Sequence, residues 1–138
     1  MYAKIVIAYD GSEMGKKAFD TALELAAKDG AELHVLTVVR ALDIADDVET
    51  EALIENSLEH HRKLLSELEE PVRRKGIRAY FEAVVGHPAE QIIYYADKNK
   101  VDLIVVGNRG RSKFARLLLG SVSKQVTEHA QRPVLVVR

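Results

Sequence analysis

The sequence predicts a single-domain α/β protein, a doubly wound sandwich with helices on both faces of a five-stranded parallel sheet. Short apolar runs rich in Val and Ile alternate along the chain with segments whose apolar residues recur at helical spacing. The runs are apolar at almost every position, which is typical of parallel strands buried on both faces. A length of 138 residues suits one domain with a proper core, so residues 1–138 are expected to fold as a unit.

The predicted strands share apolar, β-branched composition and have turn residues at their ends. They are expected at residues 4–9, 33–39, 78–85, 103–106 and 133–137. The loop residues between them leave two orders open for a five-stranded sheet, 3-2-1-4-5 and the flavodoxin-like 2-1-3-4-5. The richest glycine loop follows the fourth strand, whereas the loop after the third is short. This placement favours 3-2-1-4-5, with Asp10 facing the Gly107 loop across the crevice.

The predicted helices are bounded by recognisable start and stop residues. They are expected at residues 13–28, 50–75, 88–98 and 121–130. Ser12 is the expected N-cap of the first helix and Gly30 its stop. Residues 40–49 show no firm period, so we expect a loop or a frayed helix entry there. Pro71 is expected to kink the longest helix or to end its regular part near Glu70.

Composition excludes several classes of function. A net charge of −1 gives no overall basic field, so we expect no nucleic-acid or membrane partner. The absence of cysteine excludes disulfides, thiolate metal sites and cysteine nucleophiles. No apolar run approaches the roughly 20 residues that cross a bilayer, and the first residues lack a signal-peptide layout. These features predict a cytoplasmic protein.

The most informative segment lies between the fourth strand and the last helix. Gly107 ends a buried apolar run, and Gly120 stands just before the helix that begins at Ser121. Glycine allows a ligand to approach the backbone, and N–H groups at a helix N-terminus carry partial positive charge. We therefore expect Gly107 and Gly110 to let the loop fold over a phosphate or ribose. Main-chain N–H groups and serine hydroxyls of residues 120–123 are expected to act as donors.

Other side chains around the predicted crevice suit the rest of a nucleotide. Asp10 is an acceptor when ionised, which fits ribose hydroxyls, an adenine amino group or a metal ion. Val38 ends the second strand and is expected to line an apolar slot for a purine, while Arg109 and Arg111 would screen phosphate charge.

Structural readings of the same residues stay open. Gly107 alone could serve only its turn, Asp10 could cap the first helix together with Ser12, and the basic loop cluster could simply be solvated. No G-x-x-x-x-G-K-[ST] loop is present, so the lysine that contacts transferring phosphates is missing from its usual place. That absence makes a fast ATPase hard to support.

The spacing Gly107-x-x-Gly110, nine residues, Gly120-Ser121 resembles the nucleotide-binding signature of the universal stress protein family, in its ATP-binding branch. The resemblance extends over the chain in element order, through Asp10-Gly11-Ser12, Val38, Gly86-His87-Pro88 and residues 132–137. It implies ATP or AMP in the crevice, a 3-2-1-4-5 sheet and a homodimer. The implied nucleotide-binding residues are Ala8, Asp10, Val38, Val106, Gly107, Arg109, Gly110, Gly120, Ser121, Val122 and Ser123. Ala8 departs from the proline of several members, which is expected to change only local stiffness.

Three functions remain open at this point. The first is a regulatory module that holds ATP or AMP, with Mg²⁺ or Mn²⁺ as an accompanying ion. The second is a slow ATPase or an adenylate-transferring enzyme that uses the same crevice, and the third is a structural dimer that binds no nucleotide. Intact glycine spacing favours the first. The last strand, Val134 to Val137, would be an apolar sheet edge, so we expect the dimer to form through it.

Overall fold

The computed structural model of the protein describes residues 1–40, 48–108 and 120–138. Five strands form one sheet of order β3-β2-β1-β4-β5, and every neighbouring pair is parallel. This confirms the predicted fold class and decides for 3-2-1-4-5 over the flavodoxin-like order. The strands are β1 Lys4–Ala8, β2 Glu32–Arg40, β3 Ala79–Gly86, β4 Leu103–Gly107 and β5 Val134–Val137.

The strand ends differ from the predicted ones by at most one residue. β2 runs on to Arg40 because its main chain stays in register with β3 up to the pair Arg40 and Gly86. Ladder hydrogen bonds need only main-chain groups, so a charged or glycine residue can still belong to the strand. Tyr9 lies just beyond β1, yet its N–H still donates to the Leu36 carbonyl at 2.8 Å.

The helices of the described residues flank this sheet. They are α1 Glu13–Asp29, α2 Val48–Ser66, α3 Glu69–Arg74, α4 Pro88–Lys98 and α5 Ser121–His129. Ser12 caps α1 as predicted, since its Oγ accepts the Gly15 N–H at 3.0 Å. Gly30 ends α1 with φ 66°, a left-handed conformation that glycine adopts without strain.

The single long helix predicted over 50–75 is wrong in one respect, because the chain breaks into α2 and α3. Proline lacks an N–H, and its ring clashes with the carbonyl four residues before it, which for Pro71 is Glu67. The break accordingly falls at Glu67 and Leu68, ahead of the expected position, and the Leu68 N–H bonds to Leu65 instead at 3.0 Å. Pro71 then sits in the first turn of α3, where a missing N–H costs little.

Two hydrophobic cores lie on opposite faces of the sheet. On one face, α1, α2 and α3 pack against β1, β2 and β4, with Phe19 as the largest fully buried side chain. On the other, Ile92 of α4 and Val126 of α5 pack against Val6, Leu36 and Ile104. Because both faces of the sheet are covered by helices, the strands are apolar at almost every position. None of the described helices is both long and apolar enough to span a bilayer.

Candidate functional site

An open cleft of about 630 Å³ lies at the carboxyl ends of β1, β2 and β4. The strand order reverses between β1 and β4, and such reversal points are where open α/β sheets bind ligands. Most of the predicted site residues are brought together there. Those that line the cleft are Ala8, Asp10, Val38, Val106, Gly107, Gly120, Val122 and Ser123.

Three predicted residues are not among this lining. Ser121 is exposed and borders an adjoining chamber rather than the cleft itself. Arg109 and Gly110 lie outside the described residues, as does the neighbouring Arg111. The roles expected of these loop residues therefore stay predictions.

The turn after β1 holds Asp10, the acidic residue of the cleft, in position. Asp10 Oδ1 accepts the Ser12 N–H at 2.9 Å and the Ser12 hydroxyl at 2.5 Å. Gly11 makes this turn possible with φ 81°, and a Cβ on Gly15 would come within 2.5 Å of Asp10 Oδ1. Asp10 therefore supports the cap of α1 and also borders the cleft, so its structural role is observed and its role toward a ligand stays a prediction.

Gly107 has a packing role at the floor of the cleft. A Cβ on this residue would lie 2.7 Å from the Met14 carbonyl oxygen and 2.9 Å from its carbonyl carbon. These are main-chain atoms of the first turn of α1, which a side-chain rotation cannot move away. Glycine is therefore needed here for α1 to lie against the end of β4, whatever the loop beyond it does.

Asn108 supports the start of α5 beside the cleft, a role that the sequence analysis did not identify. Its side chain is only 3% exposed, and its Oδ1 accepts the Gly120 N–H at 2.8 Å. The expectation that the Gly120 N–H is offered to a ligand is therefore corrected, because Asn108 already binds it. An amide side chain directly after a buried apolar strand was the available signal.

The first turn of α5 presents the donor groups that the sequence predicts. The Lys124 N–H makes the first helical bond, to the Gly120 carbonyl at 2.8 Å. The N–H groups of Ser121, Val122 and Ser123 precede it, so they have no acceptor within the helix, and none is found elsewhere in the described part of the chain. The Ser123 hydroxyl, by contrast, is not an available donor, since it donates to the Gly120 carbonyl at 3.0 Å.

One side of the cleft is apolar. Val38 was predicted there and Val106 was predicted along the ribose and phosphate, whereas Leu36, Pro88 and Ile92 were not predicted. Side chains two residues apart along a strand share a face, so Leu36, Val38 and Arg40 of β2 all point to the side of α4 and α5. Extending that alternation along β2 would have found Leu36 and Arg40. The helix residues Pro88 and Ile92 required the tertiary structure.

The charged and titratable groups of the cleft are few. Asp10 is the one carboxylate and Arg40 the one cation among the described lining residues. Burial raises the pKa of the Tyr9 hydroxyl, and the negative charges of Glu67, Asp10 and Asp20 raise it further, so this tyrosine stays neutral. Within the described ranges, no three His, Asp or Glu side chains are grouped closely enough to hold a metal ion.

Comparisons with known proteins agree with this architecture. The universal stress protein YxiE of Bacillus subtilis is 36% identical over 148 residues, covering all of both chains. The solved structure of the protein MJ0577 superposes with a TM-score of 0.89 at 28% identity, covering 99% of this chain and 96% of that one. A universal stress protein crystallised in complex with cAMP gives 0.74 at 30% identity, with 99% and 97% covered. The universal stress protein family model matches residues 1–138, and the chain belongs to that family.

Proposed function

We propose that the protein binds an adenine nucleotide, ATP or AMP, in this cleft and acts in the cytoplasm as a regulatory module of a stress response. The observation that carries the proposal is the composition of one cleft. An apolar wall, a single carboxylate and the first turn of α5, whose Val122 and Ser123 N–H groups have no acceptor among the described residues, line it together. The apolar wall suits the base of a nucleotide, the carboxylate suits the ribose, and the N–H groups suit the phosphates.

The apolar wall suits the purine. Leu36, Val38, Val106 and Ile92 offer aliphatic surface on which a flat ring can exclude water. Asp10 is an acceptor that would bind ribose hydroxyls or the adenine amino group, and it is also the residue that would face a Mg²⁺ or Mn²⁺ ion carried by ATP.

The start of α5 suits the phosphates. The N–H groups of Ser121, Val122 and Ser123 add to the positive end of the helix dipole, which favours an anion there. Gly120 would allow a phosphate to approach the main chain closely. Gly107 and Gly110, the other glycines of the spacing, would lie beside it together with Arg109. A relative that is 30% identical was crystallised with cAMP, an adenine nucleotide, and this supports the same class of ligand here.

The described lining favours binding over rapid hydrolysis. It contains no histidine or lysine, and the Asp10 carboxyl oxygen Oδ1 already accepts two hydrogen bonds from Ser12. A general base would have to stand within hydrogen-bond reach of an attacking water with a free acceptor. We propose a binding module and assign no residue to catalysis.

Isothermal titration calorimetry with ATP and with AMP, each with and without Mg²⁺, tests the proposal. We expect one nucleotide per chain. Gly120→Val is expected to weaken binding at least about tenfold by placing a branched side chain at the start of α5, and φ of −63° at this position suits valine. Glu128→Val, an exposed change on the same helix, is the matched control and should bind normally.

Two results would count against the proposal. If wild-type protein gave neither heat nor a thermal shift with either nucleotide, nucleotide binding would be ruled out. If Gly120→Val bound like the wild type, the assignment of the phosphates to α5 would be wrong. Single-turnover assays with labelled ATP separate a binder from an enzyme, because ADP formation that disappears in Asp10→Ala would require a catalytic role.

A further inference from the structure

β3 is an edge strand whose outer main-chain groups have no partner among the described residues. The Leu33 N–H donates to the Arg78 carbonyl at 2.9 Å, which shows which main-chain groups face β2. The direction of these groups alternates along a strand, so those of Ala79, Phe81 and Ala83 point away from β2. Within the described ranges only β2 pairs with β3. The outer edge therefore presents donors and acceptors to which another strand can bind.

The sequence of β3 lacks the usual features that block pairing at a sheet edge. Edge strands are commonly protected by lysine, by proline or by a bulge. β3 contains neither lysine nor proline, and its register with β2 runs without interruption from Ala79 to Gly86. It is eight residues long, which is enough to pair with a short extended peptide.

An acidic hollow borders the amino-terminal half of this edge. Three carboxylates line it, those of Glu32, Glu69 and Glu82, together with one lysine, Lys4. The Lys4 ammonium group donates to the Asn99 carbonyl at 3.3 Å. Glu69 and Glu82 form no ion pair with any residue that the structure describes. The hollow therefore carries net negative charge that a basic side chain would neutralise.

Tyr80 adds an aromatic ring to the acidic hollow. It lies on the same face of β3 as Glu82, and 48% of it is exposed. Its ring stacks on the buried imidazole of His34, with the ring centroids 5.0 Å apart. That imidazole is held by hydrogen bonds with Glu32 at 2.8 Å and the Tyr95 hydroxyl at 2.6 Å. An exposed tyrosine ring beside carboxylates favours the cation of a lysine or arginine side chain.

The other face of β3 is apolar. Phe81 and Ala83 are partly buried there against the core that α1, α2 and α3 form with the sheet. Because side chains alternate between the two faces of a strand, the edge has an acidic and aromatic side and an apolar side. A strand added to it is therefore complementary when basic and aliphatic residues alternate along it.

We propose that the outer edge of β3 binds an extended basic segment of a partner protein as an additional strand of the sheet. Main-chain hydrogen bonds supply the general affinity, and the residues that face Tyr80 and Glu82 are lysine or arginine. A second copy of the chain is a poor occupant, because it would bring the same carboxylates face to face.

This interaction goes beyond nucleotide binding and does not compete with it. Lys4, Glu32 and Ala79, the first residues of β1, β2 and β3, line the acidic hollow. The cleft lies at the carboxyl ends of the strands, on the opposite side of the sheet's long axis. A peptide at the hollow and a nucleotide in the cleft can therefore be bound at the same time.

Fluorescence anisotropy with a labelled peptide of alternating lysine and valine, about seven residues long, tests the proposal without any nucleotide. We expect binding that weakens as salt is added, because salt screens the carboxylates. Glu82→Lys should weaken it by about fivefold or more, since an attractive cross-strand pair becomes a repulsive one. Glu24→Lys is the matched control, because Glu24 is an exposed carboxylate on α1 that does not border the hollow. It should have a much smaller effect.

Two N-methylated forms of the peptide distinguish strand addition from attraction between charges alone. One form has its methyl groups on the lysine nitrogens of the main chain and the other on those of the valines, so both keep the same charge. An added strand turns alternate N–H groups toward β3, and only one form should bind. The proposal is wrong if both forms bind or neither does, if Glu82→Lys behaves like Glu24→Lys, or if the wild type does not bind the unmethylated peptide.

Discussion

Individual residues at the cleft have roles in the fold. Asp10 supports the cap of α1, Gly107 makes room for the Met14 main chain, and Asn108 holds the Gly120 N–H. A role in the fold was one of the readings that the sequence left open for Asp10 and Gly107. At these positions a loss of ligand binding on mutation must therefore be measured together with stability.

Gly107→Ala tests the packing role. The added methyl group would overlap the Met14 carbonyl group, and main-chain atoms can relieve that overlap only by moving α1 away from β4. We expect the free energy of unfolding to fall by about 1–3 kcal/mol, the range for overpacking. Urea denaturation followed by circular dichroism measures it.

Gly120→Ala is the comparison for this experiment, because φ of −63° at Gly120 is open to any residue. It should change the free energy of unfolding by less than about 1 kcal/mol. Equal stability of Gly107→Ala and the wild type would mean that the close contact with Met14 does not constrain the fold.

At the residue scale, sequence reasoning identified candidate residues whose amino-acid type alone indicates their chemistry. Asp10 and Val38 border the cleft because each lies near the carboxyl end of a strand, and these ends meet at one edge of a parallel sheet. Asn108 and Ile92 were missed for a different reason. An amide directly after a buried strand marked Asn108 as a candidate, but the main-chain group that it binds, and the strand that Ile92 meets, are set by the tertiary structure.

Among the elements, α1 supports two residues of the cleft, Gly107 and Asp10. Its first turn contacts Gly107, and its cap is linked to Asp10 through Ser12. The sequence predicted this helix well, because its cap and its terminal glycine are local signals. The α2–α3 break was misplaced because the proline acts on the carbonyl four residues before it.

Ser12→Ala tests the cap of α1. The change leaves the Gly15 N–H without its acceptor and removes the hydroxyl that donates to Asp10. We expect a loss of about 0.5–2 kcal/mol in the free energy of unfolding, the range for N-cap replacement. Thermal and urea denaturation measure the loss.

Ser66→Ala is the matched control, since Ser66 is exposed and its hydroxyl bonds only within its own helix. It should change stability by less than about 0.5 kcal/mol. If the two variants were equally stable, the Ser12 hydroxyl would contribute nothing to α1.

At the scale of the whole molecule, β3 and β5 are the two edge strands of the sheet formed by the described residues. The sequence identified this order because the glycine-rich turns follow strands one and four, which must then be neighbours to share a ligand. All four side chains of β5 are apolar and half-buried, and the described residues place a strand on only one side of it. We propose that a second copy of the chain covers β5 in a homodimer.

Sedimentation and light scattering test the dimer. We expect twice the monomer mass and a melting temperature that rises with protein concentration, because association stabilises the folded state. Val134→Lys, which places a charge at the start of this edge strand and beside the core under α5, should shift the equilibrium to monomer, and urea denaturation of the same variant separates this effect from a loss of stability. A monomeric mass of the wild type at millimolar concentration would refute the proposed interface.

Asn108 connects two regions that the proposals treat separately. Its N–H donates to the Val137 carbonyl of β5 at 2.8 Å, while its side chain holds the start of α5. A bound ligand that displaces α5 would strain the two hydrogen bonds of Asn108 and so affect β5 at the edge of the sheet. Thermodynamic linkage is reciprocal, so pairing of two copies would alter nucleotide affinity by the same factor as nucleotide alters pairing.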